Sequence, residues 1–287
     1  TAITTGDNNV AVGHLALQNT TTAQGNVAIG KSALATNTLG SKSIAVGRGA
    51  LSNQNYTTAT DAYNVAVGHE AGVVVTTGVK NTLIGGTTGQ GLTTGGENVA
   101  VGYGALYTDD LGSHNVAVGV SALQNQNFAT ATDSHNTAVG FSAGLSITTG
   151  QNNVVIGGLA GDALTAVNDN VVVGTGALTS DTLGSGTVAI GRQVLQTQNF
   201  TTATTSHNTA VGYQAGLAVT TGTQNTLIGS ISGDALTDAD KNVAVGYGSL
   251  TSDTLGSKST AIGDSALSSQ NFTTATESFN TAEGFEF

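Results

Sequence analysis

The chain has 287 residues, of which 9% are charged and 5% aromatic, with 41 glycines. So few large side chains cannot fill one compact core, which argues against an ordinary globular domain. With no Cys there is no disulfide, thiolate metal site or redox motif, and a net charge of −11 disfavours phosphate backbones and anionic lipid heads.

From the N-terminus, a five-residue motif recurs. Asn9-Val10-Ala11-Val12-Gly13 is followed by the units ending at Gly30 and Gly47, each 17 residues after the last. The next step is 21 residues long and carries Gln54-Asn55-Tyr56-Thr57-Thr58-Ala59-Thr60-Asp61-Ala62-Tyr63 before the motif resumes at Asn64. Steps of 17 then lead to Gly85, Gly102 and Gly119, and a second 21-residue step contains Gln126 to His135. The same order repeats through the insertions Gln198 to His207 and Gln270 to Phe279, so that three steps of 17 and one of 21 make a 72-residue superperiod. The pattern breaks at Glu283, Phe285 and Phe287. The chain opens on Thr1 in mid-pattern and contains no Met, so it is expected to be a portion of something longer.

A 17-residue period is too short for helix-pair repeats and suits one coil of a β-solenoid with short strands and tight turns. Val, Ile and Thr surround each closing glycine, and Gly, Asn, Ser and Thr punctuate the rest. The expected fold is all-β: a parallel β-solenoid or β-roll of about sixteen 17- or 21-residue coils, with residues 1–282 as the repeat shaft and residues 283–287 as a divergent end. No run of about 18 apolar residues exists to cross a bilayer as a helix.

Within the motif, Val or Ile precedes the glycine in every unit but the last, where Glu283 stands, and Val, Ile or Thr lies two residues earlier. These two columns share a strand face and are expected to fill the coil interior. The column between them is also apolar, mostly Ala (Ala11, Ala28, Ala45), with Leu83, Val155, Val172 and Leu227. A strand with one solvated face would alternate. The Ala face is therefore expected to be covered by identical neighbouring chains.

The column four before the glycine is Asn9, Asn26, Asn64, Asn81, Asn98, Asn115, Asn136, Asn153, Asn170, Asn208, Asn225, Asn242 and Asn280, interrupted by Ser43, Thr187 and Ser259. Stacked Asn side chains could bond up and down the coils and fix register, or each could shape a local turn. The insertions place aromatics third (Tyr56, Phe128, Phe200, Phe272) and an aromatic or His last (Tyr63, His135, His207, Phe279). These are the candidate receptor or glycan contacts, the alternative being that the first ring anchors its own loop. Asp109, Asp181 and Asp253 recur one superperiod apart, with Asn37 in the same phase. Calcium needs six to eight converging oxygens, which this spacing does not supply, so no metal or cofactor is expected. Catalysis needs unlike groups within hydrogen-bonding reach, whereas the repeat supplies like groups far apart, so no enzyme is expected.

The units resemble the head repeats of trimeric autotransporter adhesins, most closely at Asn26-Val27-Ala28-Ile29-Gly30-Lys31-Ser32-Ala33 and Ser259-Thr260-Ala261-Ile262-Gly263-Asp264-Ser265-Ala266. They are equally similar to repeats in tail-fibre-like proteins of marine bacteriophages, as in Asn208-Thr209-Ala210-Val211-Gly212-Tyr213-Gln214-Ala215. The adhesin resemblance implies a left-handed parallel β-roll, a homotrimer and attachment to host or matrix molecules. The 17-residue coils and the regular superperiod depart from those heads. The expected function is an extracellular structural fibre segment with adhesive or receptor-binding capacity, on a virion tail fibre or a cell-surface appendage. Its expected partners are its own copies and a cell-surface glycan or protein, with no nucleic acid and no membrane insertion. The alternative is a single-chain solenoid filament or a module that binds glycans through the aromatic loops.

Overall fold

In a computed structural model, which describes residues 4–285, the chain is a parallel β-solenoid of about sixteen turns, with no helix among the described residues. It divides into two compact units, Thr1–Ser142 and Ala143–Phe287. In the first, the main strands run in chain order from Val10–Val12 through Ile44–Val46 and Val116–Val118 to Thr137–Val139. In the second they run from Val154–Ile156 through Val188–Ile190 to Thr281–Glu283. Equivalent motif residues stand in register: Val10 opposite Val27, Ala11 opposite Ala28, Val12 opposite Ile29. Phe285 is exposed, and Phe287 of the divergent end lies outside the described residues.

A three-residue strand has one residue pointing into the coil and two pointing out. The inward residue is the middle one, since Ala28, Ala45, Ala66, Ala100 and Ala117 are fully buried while Ile29 and Ile44 remain about 40% exposed. This reverses the expected assignment: the Ala column lines the lumen and the Val/Ile columns face outward. The reason is space. Seventeen residues close so tight a coil that a methyl group is often all its inner strand face admits, and the remaining volume is filled from elsewhere in the turn. Leu34, Leu51, Leu106 and Leu123, four residues after the motif glycine, supply that volume and are fully buried. Where this position is glycine, as at Gly72 and Gly89, the lumen is filled by Leu83 together with Val75 and Leu92. Leu83 replaces Ala where its neighbours recede. Leu83, Val155 and Leu227, which depart from the Ala column, are thus compensating partners of the glycines.

Within each unit the Asn column is buried, from Asn26 to Asn136 and from Asn153 to Asn242, and joins successive coils through side chain and backbone. Asn9 Oδ1 accepts the backbone N–H of Asn26 at 2.9 Å, and Asn98 Oδ1 accepts that of Asn115 at 2.9 Å. The amide nitrogen donates to a carbonyl 14 residues on, Asn26 to Gly40 and Asn98 to Gly112. At the interruptions the backbone still donates, Ser43 to Asn26 and Thr187 to Asn170, both at 2.9 Å. A shorter side chain at one phase therefore keeps the incoming bond and lacks the amide donor, its hydroxyl bonding Gln54 in the case of Ser43 and Ser206 in the case of Thr187. Asn280 differs from the rest in being exposed, with its amide on Gln270 at 2.7 Å.

Candidate functional site: the insertion corners

Each insertion is held from inside by a polar clasp. Asp181 is fully buried; its carboxylate accepts the Gly184 N–H at 3.0 Å, the Phe200 N–H at 3.2 Å and the Gln198 amide at 2.6 Å. Asp253 has the same partners, Gly256, Phe272 and Gln270, at 3.0, 2.9 and 2.6 Å. Asp109 accepts from Gly112 at 3.1 Å and Gln126 at 2.7 Å. Burial raises the Asp109 and Asp181 carboxyls above the ordinary carboxylate range, partly offset by the Gln amides. In the first superperiod Asn37 replaces the acid and bonds Gly40 in both directions, N–H to Oδ1 at 3.0 Å and Nδ2 to carbonyl at 2.7 Å. The sequence displayed these acids as a period; that they are internal fasteners was not visible in it.

The first aromatic of each insertion lies over this clasp. Tyr56, Phe128 and Phe200 are 5% exposed and Phe272 is half-buried, so the first three are removed from the candidate contacts. Each ring closes the lumen over the widened coil, because a 21-residue turn would otherwise leave the Gln and Asn amides open to solvent. The Tyr56 hydroxyl donates to the Gly78 carbonyl at 2.7 Å, and burial pushes its pKa up to about 12.

The last residues stand outside. Tyr63 is 51% and Phe279 66% exposed, and His135 and His207 are exposed too. Their backbones are left-handed, with φ of 51°, 51°, 51° and 49° for Tyr63, His135, His207 and Phe279. Beside three of these rings sits a basic side chain from the preceding coil and an acid from two residues earlier. Lys42 Nζ lies 2.6 Å from Asp61, donates to the Tyr63 hydroxyl at 3.1 Å and stands 5.1 Å from its ring centre. These hydrogen bonds, to Asp61 first and then Tyr63, raise the Lys42 pKa. Lys258 pairs with Glu277 at 2.5 Å, 4.9 Å from the Phe279 ring. His114 meets Asp133 at 3.1 Å and Glu97 at 3.2 Å, and its ring stacks on His135 with centres 5.1 Å apart. His114 and His135 each directly precede a motif Asn, Asn115 and Asn136, so they are equivalent corner positions one coil apart.

A further group of exposed aromatics was not singled out in the sequence. Tyr103, Phe141, Tyr213 and Tyr247 directly follow motif glycines and lie on the outward side of the strand line, alongside the Val/Ile columns. Two-residue periodicity continued through the glycine would have found them. Among the described residues no group of three or more His, Asp or Glu is arranged to hold a metal ion. Compared with protein-family models, curated proteins and solved structures, the chain matches none.

Proposed function

We propose that the chain is an extracellular structural fibre segment that self-associates, most simply as a homotrimer, through its outward Val/Ile face. The observation that carries this reading is that face. In the first unit, Val10, Val12, Ile29, Ile44, Val67, Ile84 and Val99 all expose more than a third of their surface on one side of the sheet, with Thr82 and Thr137 as the polar members of the same two columns. Contiguous apolar surface of that kind is rare on a monomer in water and common where copies meet. The buried Ala column no longer bears on association. The apolar face supports it in its place, and the adhesin and tail-fibre resemblance of the repeats supports a trimer on a cell-surface appendage or virion fibre.

Light scattering after size exclusion, at several concentrations, tests the proposal. The expected mass is three times 28.2 kDa. Val118→Asp together with Ile84→Asp, both outward and outside the lumen, is expected to reduce it to one chain. A wild-type monomer at all concentrations would refute self-association.

A second reading, adhesion to glycans through the insertions, is favoured by the exposed rings Tyr63, His135, His207 and Phe279 and their adjoining charged groups.

A further inference from the structure

The corners under the four insertions share one floor and differ at their rims. In each, a serine of a two-residue strand accepts a backbone N–H from the coil below: Ser41 from Gln24, Ser113 from Gly96, Ser185 from Asn168 and Ser257 from Asp240, at 3.1, 3.1, 3.1 and 3.0 Å. On the paired strand Asp61, Asp133, Thr205 and Glu277 stand opposite these serines, and the preceding Thr60, Thr132, Thr204 and Thr276 each bond the carbonyl two residues earlier, at 2.9 to 3.0 Å. The rim pairs are Lys42 with Asp61, His114 with Asp133, Gly186 with Thr205, and Lys258 with Glu277. Base and acid are present together or absent together.

Stability alone does not account for these pairs. Lys42, His114 and Lys258 hold left-handed backbones, with φ of 60°, 62° and 64°, at the position where Gly186 sits at 68°. That conformation strains a side-chain-bearing residue, whereas an exposed, solvent-screened ion pair returns little. Gly186 shows that a corner closes without a charged pair, and Lys80, Glu97, Asp169 and Lys241 hold the same left-handed backbone in other coils, so this position does not require the rim charges.

At the fourth corner the rim borders an open hollow of about 180 Å³ lined by Asp240, Lys241, Ser257, Lys258, Ala275, Thr276 and Glu277. Its two ammonium and two carboxylate groups balance. Lys258 is engaged by Glu277, while among the described residues the Lys241 ammonium has no ion pair. The exposed Phe279 ring is outside this lining, with its centre 4.9 Å from the Nζ of the lining residue Lys258.

We propose that this corner binds a neutral saccharide. The Lys241 ammonium and the Thr276 hydroxyl donate to sugar oxygens, the Glu277 carboxylate accepts from sugar hydroxyls, and the Phe279 ring packs against sugar C–H groups. A balanced rim on a chain of net charge −11 disfavours polyanions. The inference rests on the glycan-binding reading of the insertions and assigns it to one corner.

The test is calorimetric titration of the full chain with neutral oligomers of glucose, galactose and mannose, beside oligogalacturonate. At least one neutral oligomer is expected to bind. Lys241→Ala and Glu277→Gln, each verified as folded by circular dichroism, should weaken it by about tenfold, since each removes a charged hydrogen bond. Gly186→Ala at the third corner should leave it unchanged. Binding of the acidic oligomer alone overturns the proposal. Neutral binding that responds to Tyr63→Ala or His135→Ala but to neither rim variant preserves the glycan reading and refutes the fourth corner. No binding by any saccharide refutes both.

Discussion

Replacing Gly119 by Ala probes the feature on which every coil depends, the contact of one motif glycine with the next. Gly119 has φ of +135°, and a Cβ built there would stand 2.3 Å from the Gly140 carbonyl oxygen and 2.6 Å from its carbon. Neither chain can retreat, because the Gly119 N–H is bonded to Val101 at 2.7 Å and that of Gly140 to Val118 at 2.8 Å. Backbone strain of about 1–3 kcal/mol adds to overpacking of about 1–3 kcal/mol, for a loss of roughly 2–6 kcal/mol. Gly104→Ala is the control. Its φ is +64° with no atom within 4 Å of the added Cβ, and the same place in other coils holds Ser32, Glu70, Thr87 and Ser121. Its loss should stay near 1 kcal/mol, left-handed strain being partly offset by a stiffer unfolded chain. Guanidinium unfolding followed by circular dichroism measures both. The first unit should unfold at lower denaturant in Gly119→Ala, with most of its repeats lost together, since each coil is stabilised by its neighbours. A Gly119→Ala variant as stable as Gly104→Ala would refute the argument that backbone contact dictates the glycine.

Other outcomes follow from the lumen and the clasps. Leu178→Ala empties a fully buried site and should destabilise the second unit by about 2–5 kcal/mol in the same assay. Asn98→Ala leaves the Asn115 backbone N–H and the Gly112 carbonyl without their partners and should lower stability by about 1–3 kcal/mol per stranded group. Asp181 has a folded carboxyl pKa raised above its unfolded value, so its stabilising term is present below the unfolded pKa and lost as pH rises through the folded one. Asp181→Asn should therefore be at least as stable as the parent at neutral pH, with the difference shrinking on acidification from neutral towards the carboxylate range. Asn37 already occupies this position, and Gln198 retains Thr187 at 3.3 Å as an acceptor. A variant less stable at neutral pH than at acid, relative to the parent, would show that the ionised carboxylate is worth more than its burial costs.

The insertion loops show how far periodicity reaches. Their Gln, aromatic and final residues were identifiable from the 72-residue repeat, which left open whether the first ring, such as Phe200, anchors its own loop or joins Phe279 as a surface contact. Only the path of the widened coil turns the first inward and leaves the second outside. The pairing of Lys42 with Asp61 or Lys258 with Glu277 likewise spans 19 residues, a separation that neither step length predicts.

Coil number, coil length, parallel order and register follow from the sequence, because a column of identical residues can satisfy its hydrogen bonds and its packing at every level only when like stands over like. Which strand face becomes the lumen does not follow. With apolar residues at all three positions of Val116-Ala117-Val118, alternation is equally compatible with either side inward. The tertiary structure decided it through volume. The coil closes tightly enough that the middle position must be small unless a neighbouring glycine makes room, so Ala117 is buried and Val116 and Val118 are left at the surface.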